Sequence, residues 1–233
     1  VEQARKQVLK DNFLKLIEEI QEACIDCHRS PEEVQLIAVS KKHLAEDIKF
    51  LAQLGQKSFG ENYVQEALAK QKELSKLSLD WHFIGALQTN KAKFVVGNFS
   101  LIHSIDRLKL AQALNKKALD KKIVQDVLVQ VNIGKEPQKA GVLPEDLEAL
   151  VENILKLPSI CLKGFMTLPP YTQDRNKMRN YFSMLRKWKE KMEQAFGKQF
   201  PHLSMGMTLD FKEAIYEGAT LIRVGTRIFG PRP

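Results

Sequence analysis

A chain of 233 residues with 44% hydrophobic and 27% charged side chains can bury a core of its own, and α/β barrels routinely use this length for one domain. A formal charge of +8 favours anionic ligands, phosphates or nucleic acid, without bearing on the fold. Three cysteines, an odd number, argue against a disulfide framework, and no apolar stretch is long enough to span a bilayer.

The first expected element is an amphipathic helix over residues 3–23, with apolar positions Phe13, Leu14, Ile17, Ile20 and Ala23 near helical spacing. The residues that lead into it, Val1-Glu2-Gln3-Ala4-Arg5-Lys6, lack the traits of a signal peptide, so a cytoplasmic protein is expected. Cys24-Ile25-Asp26-Cys27-His28 then spells the C-x-x-C-H pattern of covalent haem attachment. There is no export signal and no second cysteine pair, and the two thiols lie one helical turn apart. Simple packing is therefore the better reading, and no metal site is expected.

Apolar, β-branched runs follow at residues 34–40, 57–60, 81–85, 101–104, 127–133, 160–166, 202–205 and 220–225. They are continuous rather than alternating, as strands buried on both faces should be. Between them lie helical stretches such as 45–54 closed by Gly55, 144–155 closed near Pro158, and 175–196 closed by Gly197. The alternation predicts an α/β fold, a single (β/α)₈ TIM barrel with one extra N-terminal helix. An open doubly wound sheet would carry Gly-x-Gly-x-x-Gly after its first strand, and that motif is absent. No Pro/Gly/Ser-rich linker divides the chain, so one domain over 1–233 is expected.

In such a barrel, function resides where the strands end. The first strand delivers Ser40-Lys41-Lys42, the second Glu61-Asn62-Tyr63, the fourth Asp106-Arg107, the seventh Ser204-Met205-Gly206 and the eighth Gly225-Thr226. Side-chain alternation puts Ile37, Val39 and Lys41 on one face and Ala38, Ser40 and Lys42 on the other. Large branched residues favour the barrel interior, so Lys41 is the one expected to point inward. Arg223 sits inside the last strand and needs a partner, with Asp210, Glu213 and Glu217 as nearby carboxylates. Asp210 and Glu213 are expected instead to form a capping box for the helix ending at Gly218. Gly225-Thr226 offers backbone N–H groups and a hydroxyl where these barrels recurrently bind phosphate, and Ser204 adds a second hydroxyl.

A primary amine, a phosphate cradle and a cation over one barrel mouth suit pyridoxal 5′-phosphate. The amine would be Lys41 and the cradle Gly225-Thr226. Arg223 would lie by the pyridine nitrogen, where it opposes protonation and weakens the ring as an electron sink. Much of the excess charge, such as Lys116, Lys117, Lys121 and Lys122, belongs to a solvated helix face, and no nucleic-acid partner is expected.

Five segments carry a resemblance. Residues 36–41 (Leu-Ile-Ala-Val-Ser-Lys), 59–66 (Phe-Gly-Glu-Asn-Tyr-Val-Gln-Glu), 82–91 (His-Phe-Ile-Gly-Ala-Leu-Gln-Thr-Asn-Lys), 203–207 and 222–230 are similar, in order, to the YggS/PROSC pyridoxal phosphate homeostasis proteins. The resemblance implies a barrel like the N-terminal domain of alanine racemase and Lys41 as the Schiff-base lysine. It also implies cofactor contacts from Asn62, Ser204, Arg223, Gly225 and Thr226. It further implies a role in vitamin B6 balance without an established catalytic reaction. Lys42 and Arg227 depart from the family pattern and are expected to add charge at the rim.

The function expected is therefore a monomeric carrier that buffers the cofactor or delivers it to apo forms of pyridoxal phosphate enzymes, with no catalytic residues of its own. The alternative is an amino-acid racemase-like enzyme using the same site, with Tyr63 or His82 as its second acid/base group. Racemases of this barrel type take that group from a further β domain. None is expected here, because the sequence ends at Gly230-Pro231-Arg232-Pro233, just after the eighth strand.

Overall fold

The structure is a computed structural model that describes residues 2–231; Val1, Arg232 and Pro233, which the expected domain of 1–233 includes, lie outside the described residues. Eight parallel strands form a closed barrel in sequence order. They are β1 (Gln35–Val39), β2 (Ser58–Glu61), β3 (Asp80–Phe83), β4 (Leu101–Ile105), β5 (Gln125–Val131), β6 (Ile160–Thr167), β7 (His202–Ser204) and β8 (Leu221–Val224). Helix α1 (Glu2–Asp26) precedes the barrel, and one helix follows each strand. These are α2 (Ala45–Gln53), α3 (Val64–Glu73), α4 (Ala92–Val95), α5 (Leu108–Lys121), α6 (Leu147–Leu155), α7 (Arg175–Phe196), α8 (Phe211–Tyr216) and α9 (Thr226–Phe229). The expected (β/α)₈ barrel with an additional N-terminal helix is the fold observed. No described helix is long and apolar enough to cross a membrane.

Strand parity divides the molecule into two layers. Phe59, Phe83, Ile102, Val127, Val129, Phe165, Ile222 and Val224 face outward and pack under the helices in the main core. Ile37, Leu101, Leu128, Met166 and Leu221 meet inside the barrel as a second, smaller cluster. Burying a side chain of this size fully is worth about 1.5–3 kcal/mol, and continuous apolar runs supply both layers at once.

Two strand pairings shape the region beneath the mouth. Between β5 and β6 the register slips after Val127↔Leu162, resuming at Leu128↔Gly164. Gly164 has φ +150°, and a Cβ there would fall 1.9 Å from the His202 carbonyl oxygen, so β6 and β7 can approach only because the residue is glycine. Closure between β1 and β8 pairs Ile37 with Arg223 and Ala38 with Val224, which puts the two cation-bearing strands side by side.

Helix α1 buries Leu9, Phe13, Leu16, Ile20, Ala23 and Cys24, while Leu14 is exposed. The buried face therefore runs through Leu9 and Leu16 rather than Leu14, because tertiary contact with α2, α8 and α9 sets its phase. Cys24 lies in this core, where burial pushes its thiol up, and the Cys27 thiol donates to the Ala23 carbonyl at 3.2 Å. Among the described residues no cluster of three or more His, Cys, Asp or Glu side chains is arranged for a metal. Arg5 binds α1 to Asp47 on α2 (2.7 Å) and to the Phe229 carbonyl (2.8 Å), and Asn12 donates to the Ile228 carbonyl.

Candidate functional site

A cavity of about 350 Å³ opens at the C-terminal ends of the strands, within the range of small-ligand sites. Lys41, Asn62, Arg223, Gly225 and Thr226 all line it. Lys41 follows β1 on the same face as Val39, which also lines the cavity, and Ile37 below belongs to the inner cluster. The alternation deduced for this strand is the one seen. Lys42 is exposed and takes a left-handed backbone with φ 65°.

Arg223 is buried at 4% exposure. Its Nη1 donates to Ser204 Oγ at 2.5 Å and its Nη2 to the Thr167 carbonyl at 2.9 Å. Burial depresses its pKa to about 10, with the Asp210 charge pulling the other way, so the guanidinium is still cationic at neutral pH. Its direct partners are thus neutral oxygens, where a carboxylate partner was an option. Ser204 is fully buried and absent from the cavity wall, one layer beneath Arg223.

Below Ser204 the polar contacts continue down the barrel interior. Ser204 Oγ lies 2.9 Å from His103 Nδ1, and His103 Nε2 lies 3.0 Å from His82 Nδ1. A guanidinium only donates, so Ser204 accepts from Arg223 and makes a further hydrogen bond with His103, whose direction follows the imidazole tautomer. His103 Nε2 and His82 Nδ1 share one hydrogen between them. Burial drives both imidazoles toward the neutral form, His82 to about 4 and His103 well below 6.5. His82 therefore belongs to this buried column and does not reach the cavity, while Tyr63 is half-exposed ahead of α3 and does not line it either.

The cavity wall holds residues that strand-end reasoning missed, because they lie in loops. Met207, Leu209 and Asp210 come from the β7–α8 loop, Tyr171 from the β6–α7 loop, and His43, stacked 4.6 Å from Phe229, from the β1–α2 loop. The expected capping box at Asp210 is not formed. Its carboxylate accepts from the Met207 N–H at 2.5 Å and closes the 207–210 turn instead of capping α8. Burial raises its pKa, and the nearby Arg223 charge opposes that rise. Arg227 likewise turns from the rim and pairs with Glu19 on α1, over the Phe211 ring.

A second polar cluster backs the strand end that carries Lys41. Glu61 is fully buried and accepts from Ser40 Oγ and Lys70 Nζ, each at 2.7 Å. Lys70 Nζ also reaches the Ser40 carbonyl (2.7 Å) and Glu66 (2.6 Å). Burial raises the Glu61 carboxyl pKa, partly offset by the Lys70 ammonium.

A profile of the family described as alanine racemase, N-terminal domain, matches residues 21–233. The pyridoxal phosphate homeostasis protein of Aquifex aeolicus is 45% identical over 222 residues, covering 95% of this chain and 97% of its own. The structure of PipY from Synechococcus elongatus with pyridoxal phosphate bound superposes with a TM-score of 0.81 at 38% identity, covering 91% of this chain and all of that one. Alanine racemase of Clostridium difficile shares the fold, with a TM-score of 0.80 at 16% identity over 97% of this chain and 57% of its own. With a family match across most of its length and close relatives over nearly all of it, the chain belongs to the alanine racemase N-terminal domain family and, within it, to the pyridoxal phosphate homeostasis proteins.

Proposed function

We propose that this protein binds pyridoxal 5′-phosphate and serves its homeostasis, buffering the cofactor or delivering it to apoenzymes as a single-domain monomer. The observation that carries the reading is the convergence of Lys41, Arg223 and the Gly225-Thr226 turn on one cavity. The donor set suits the ligand. An amine answers an aldehyde, a guanidinium answers a ring nitrogen, and a hydroxyl with helix-start amides answers a phosphate. Asn62 Oδ1 is buried without a hydrogen-bond partner, as expected of a residue whose partner is a bound molecule.

The cofactor supplies an aldehyde that condenses with an amine and a ring that accepts electrons. Lys41 is the residue that would hold it covalently, with Asn62, Gly225 and Thr226 orienting it. Arg223, cationic at neutral pH and fixed by Ser204 and Thr167, would present a donor that cannot take up a further proton. Ser204 contributes by setting that guanidinium from below. A second reading, a racemase-like enzyme, draws on Tyr171 and Asp210 at the cavity wall as candidate acid/base groups in place of Tyr63 and His82.

Purified protein incubated with pyridoxal phosphate should acquire a new visible absorption band, and borohydride followed by peptide mapping should find the pyridoxyl group on Lys41. Absence of the band, or label chiefly on Lys42, would overturn the assignment. Incubating the loaded protein with L-amino acids in deuterium oxide separates the two readings. Exchange at about 1 s⁻¹ or faster, an ordinary enzymatic rate, would favour the enzyme.

A further inference from the structure

Lys41 sits on a turn whose two flanking peptide groups are both tied to the same buried cluster. On one side the Ser40 carbonyl accepts from Lys70 Nζ at 2.7 Å. On the other the Lys42 N–H donates to Glu66 Oε1 at 2.5 Å. Lys70 and Glu66 are themselves paired at 2.6 Å, one turn apart on α3. The ammonium of Lys70 has three N–H groups, and they are met by the Ser40 carbonyl, Glu61 and Glu66. Lys70 is 7% exposed, an unusual position for a lysine unless its charge is needed there.

The backbone at Lys42 makes the same point. It adopts φ 65°, a strained conformation for a residue with a Cβ and one that persists only where its surroundings impose it. Lys42 is exposed, so the turn is held through its backbone, by the Lys42 N–H to Glu66 and by the His43 N–H to the Ser40 carbonyl at 3.1 Å.

We propose that Lys70 and Glu66 are positioning residues: they clamp the peptide groups on either side of Lys41 and hold its amine, rather than that of Lys42, at the cavity. The inference rests on the cofactor reading above and deepens it. When the amine captures the aldehyde, a carbon–nitrogen double bond forms and the aldehyde oxygen leaves as water with the two amine hydrogens. That step is fast only if the nitrogen is already at the carbonyl carbon. Buried Glu61 completes the clamp by neutralising Lys70 on its inner side.

Glu66→Ala is the cleanest test, because Glu66 is partly exposed and Lys70 keeps Glu61 as a counter-ion. The variant should capture pyridoxal phosphate about tenfold more slowly, the usual scale for losing a hydrogen bond to a charged group. After borohydride, a measurable share of the pyridoxyl label should move from Lys41 to Lys42. Glu66→Gln retains an acceptor oxygen for the Lys42 N–H and should restore labelling on Lys41. A Glu66→Ala protein with the wild-type melting temperature, capture rate and exclusive Lys41 label would overturn the clamp. Lys70→Met with Glu61→Gln provides a second variant without a buried unpaired charge, and it should show the same redistribution. If the wild-type protein itself takes up no cofactor, the cofactor reading fails first; if it does and the variants behave like it, only the clamp fails.

Discussion

Acid should destabilise this barrel through His82. Burial lowers its pKa from 6.5 to about 4, because an imidazolium inside the barrel would lose its hydration. Its Nδ1 is also engaged in a hydrogen bond with His103 Nε2 at 3.0 Å. The unfolded chain takes up a proton near pH 6.5 that the folded chain refuses until about pH 4, so the contribution is fully present above 6.5 and lost as pH falls through that window. At pH 5 the loss is about 2 kcal/mol, and it approaches about 3 kcal/mol once both states are titrated. His103 is shifted in the same direction and adds to it. The assay is urea unfolding at pH 8 and pH 5, comparing wild type with His82→Asn, which keeps an acceptor near the Nδ1 position and does not titrate. The variant should be less stable at pH 8 but should lose about 2 kcal/mol less on acidification. Equal losses in the two proteins would mean that His82 protonates in the folded state, and the argument from burial would be wrong.

Ser204→Ala removes the acceptor of Arg223 and the hydrogen-bond partner of His103 together, so it should cost about 1–3 kcal/mol in chemical denaturation and weaken pyridoxal phosphate binding in a spectral titration. Retained affinity would show that Arg223 holds its place without Ser204. Arg227→Ala should behave oppositely, lowering the melting temperature by loosening α1 from the end of the barrel while leaving cofactor affinity unchanged, because its partner is Glu19.

What could be read from the sequence was what is local. Continuous β-branched runs at regular spacing mark buried parallel strands, and the period of two places Lys41 beside Val39 without any tertiary information. The family resemblance singled out Asn62, and strand-end reasoning brought Arg223, Gly225 and Thr226 beside it to the cavity that they line. It failed where neighbours come from distant strands. Ser204 looked like a wall residue because its strand ends there, yet Arg223 from β8 covers it. His82 looked available for chemistry, yet His103 from β4 claims its ring nitrogen, and that contact depends on barrel closure. Asp210 had two turns to serve with one carboxylate, and local spacing could not say that the 207–210 turn would have it. In α1 Leu14 alone of the five expected apolar positions turns outward, since Leu14 and Leu16 are equally apolar and contact with α2, α8 and α9 distinguishes them.

The seam between β1 and β8 has a consequence for how the protein is made. Lys41 directly follows the first barrel strand, and its companions Arg223, Gly225 and Thr226 lie in or just after the eighth. Arg5 waits still longer for the Phe229 carbonyl, 224 positions away. Contacts of such separation are the slowest to form, because the whole intervening chain must be ordered first. A ribosome-bound chain lacking β8 can therefore own Lys41 but not the cavity, and β1 stays exposed along one edge. Cofactor present before β8 has docked would meet no complete cavity, and once the barrel has closed its binding would fasten the seam, favouring the closed form by mass action.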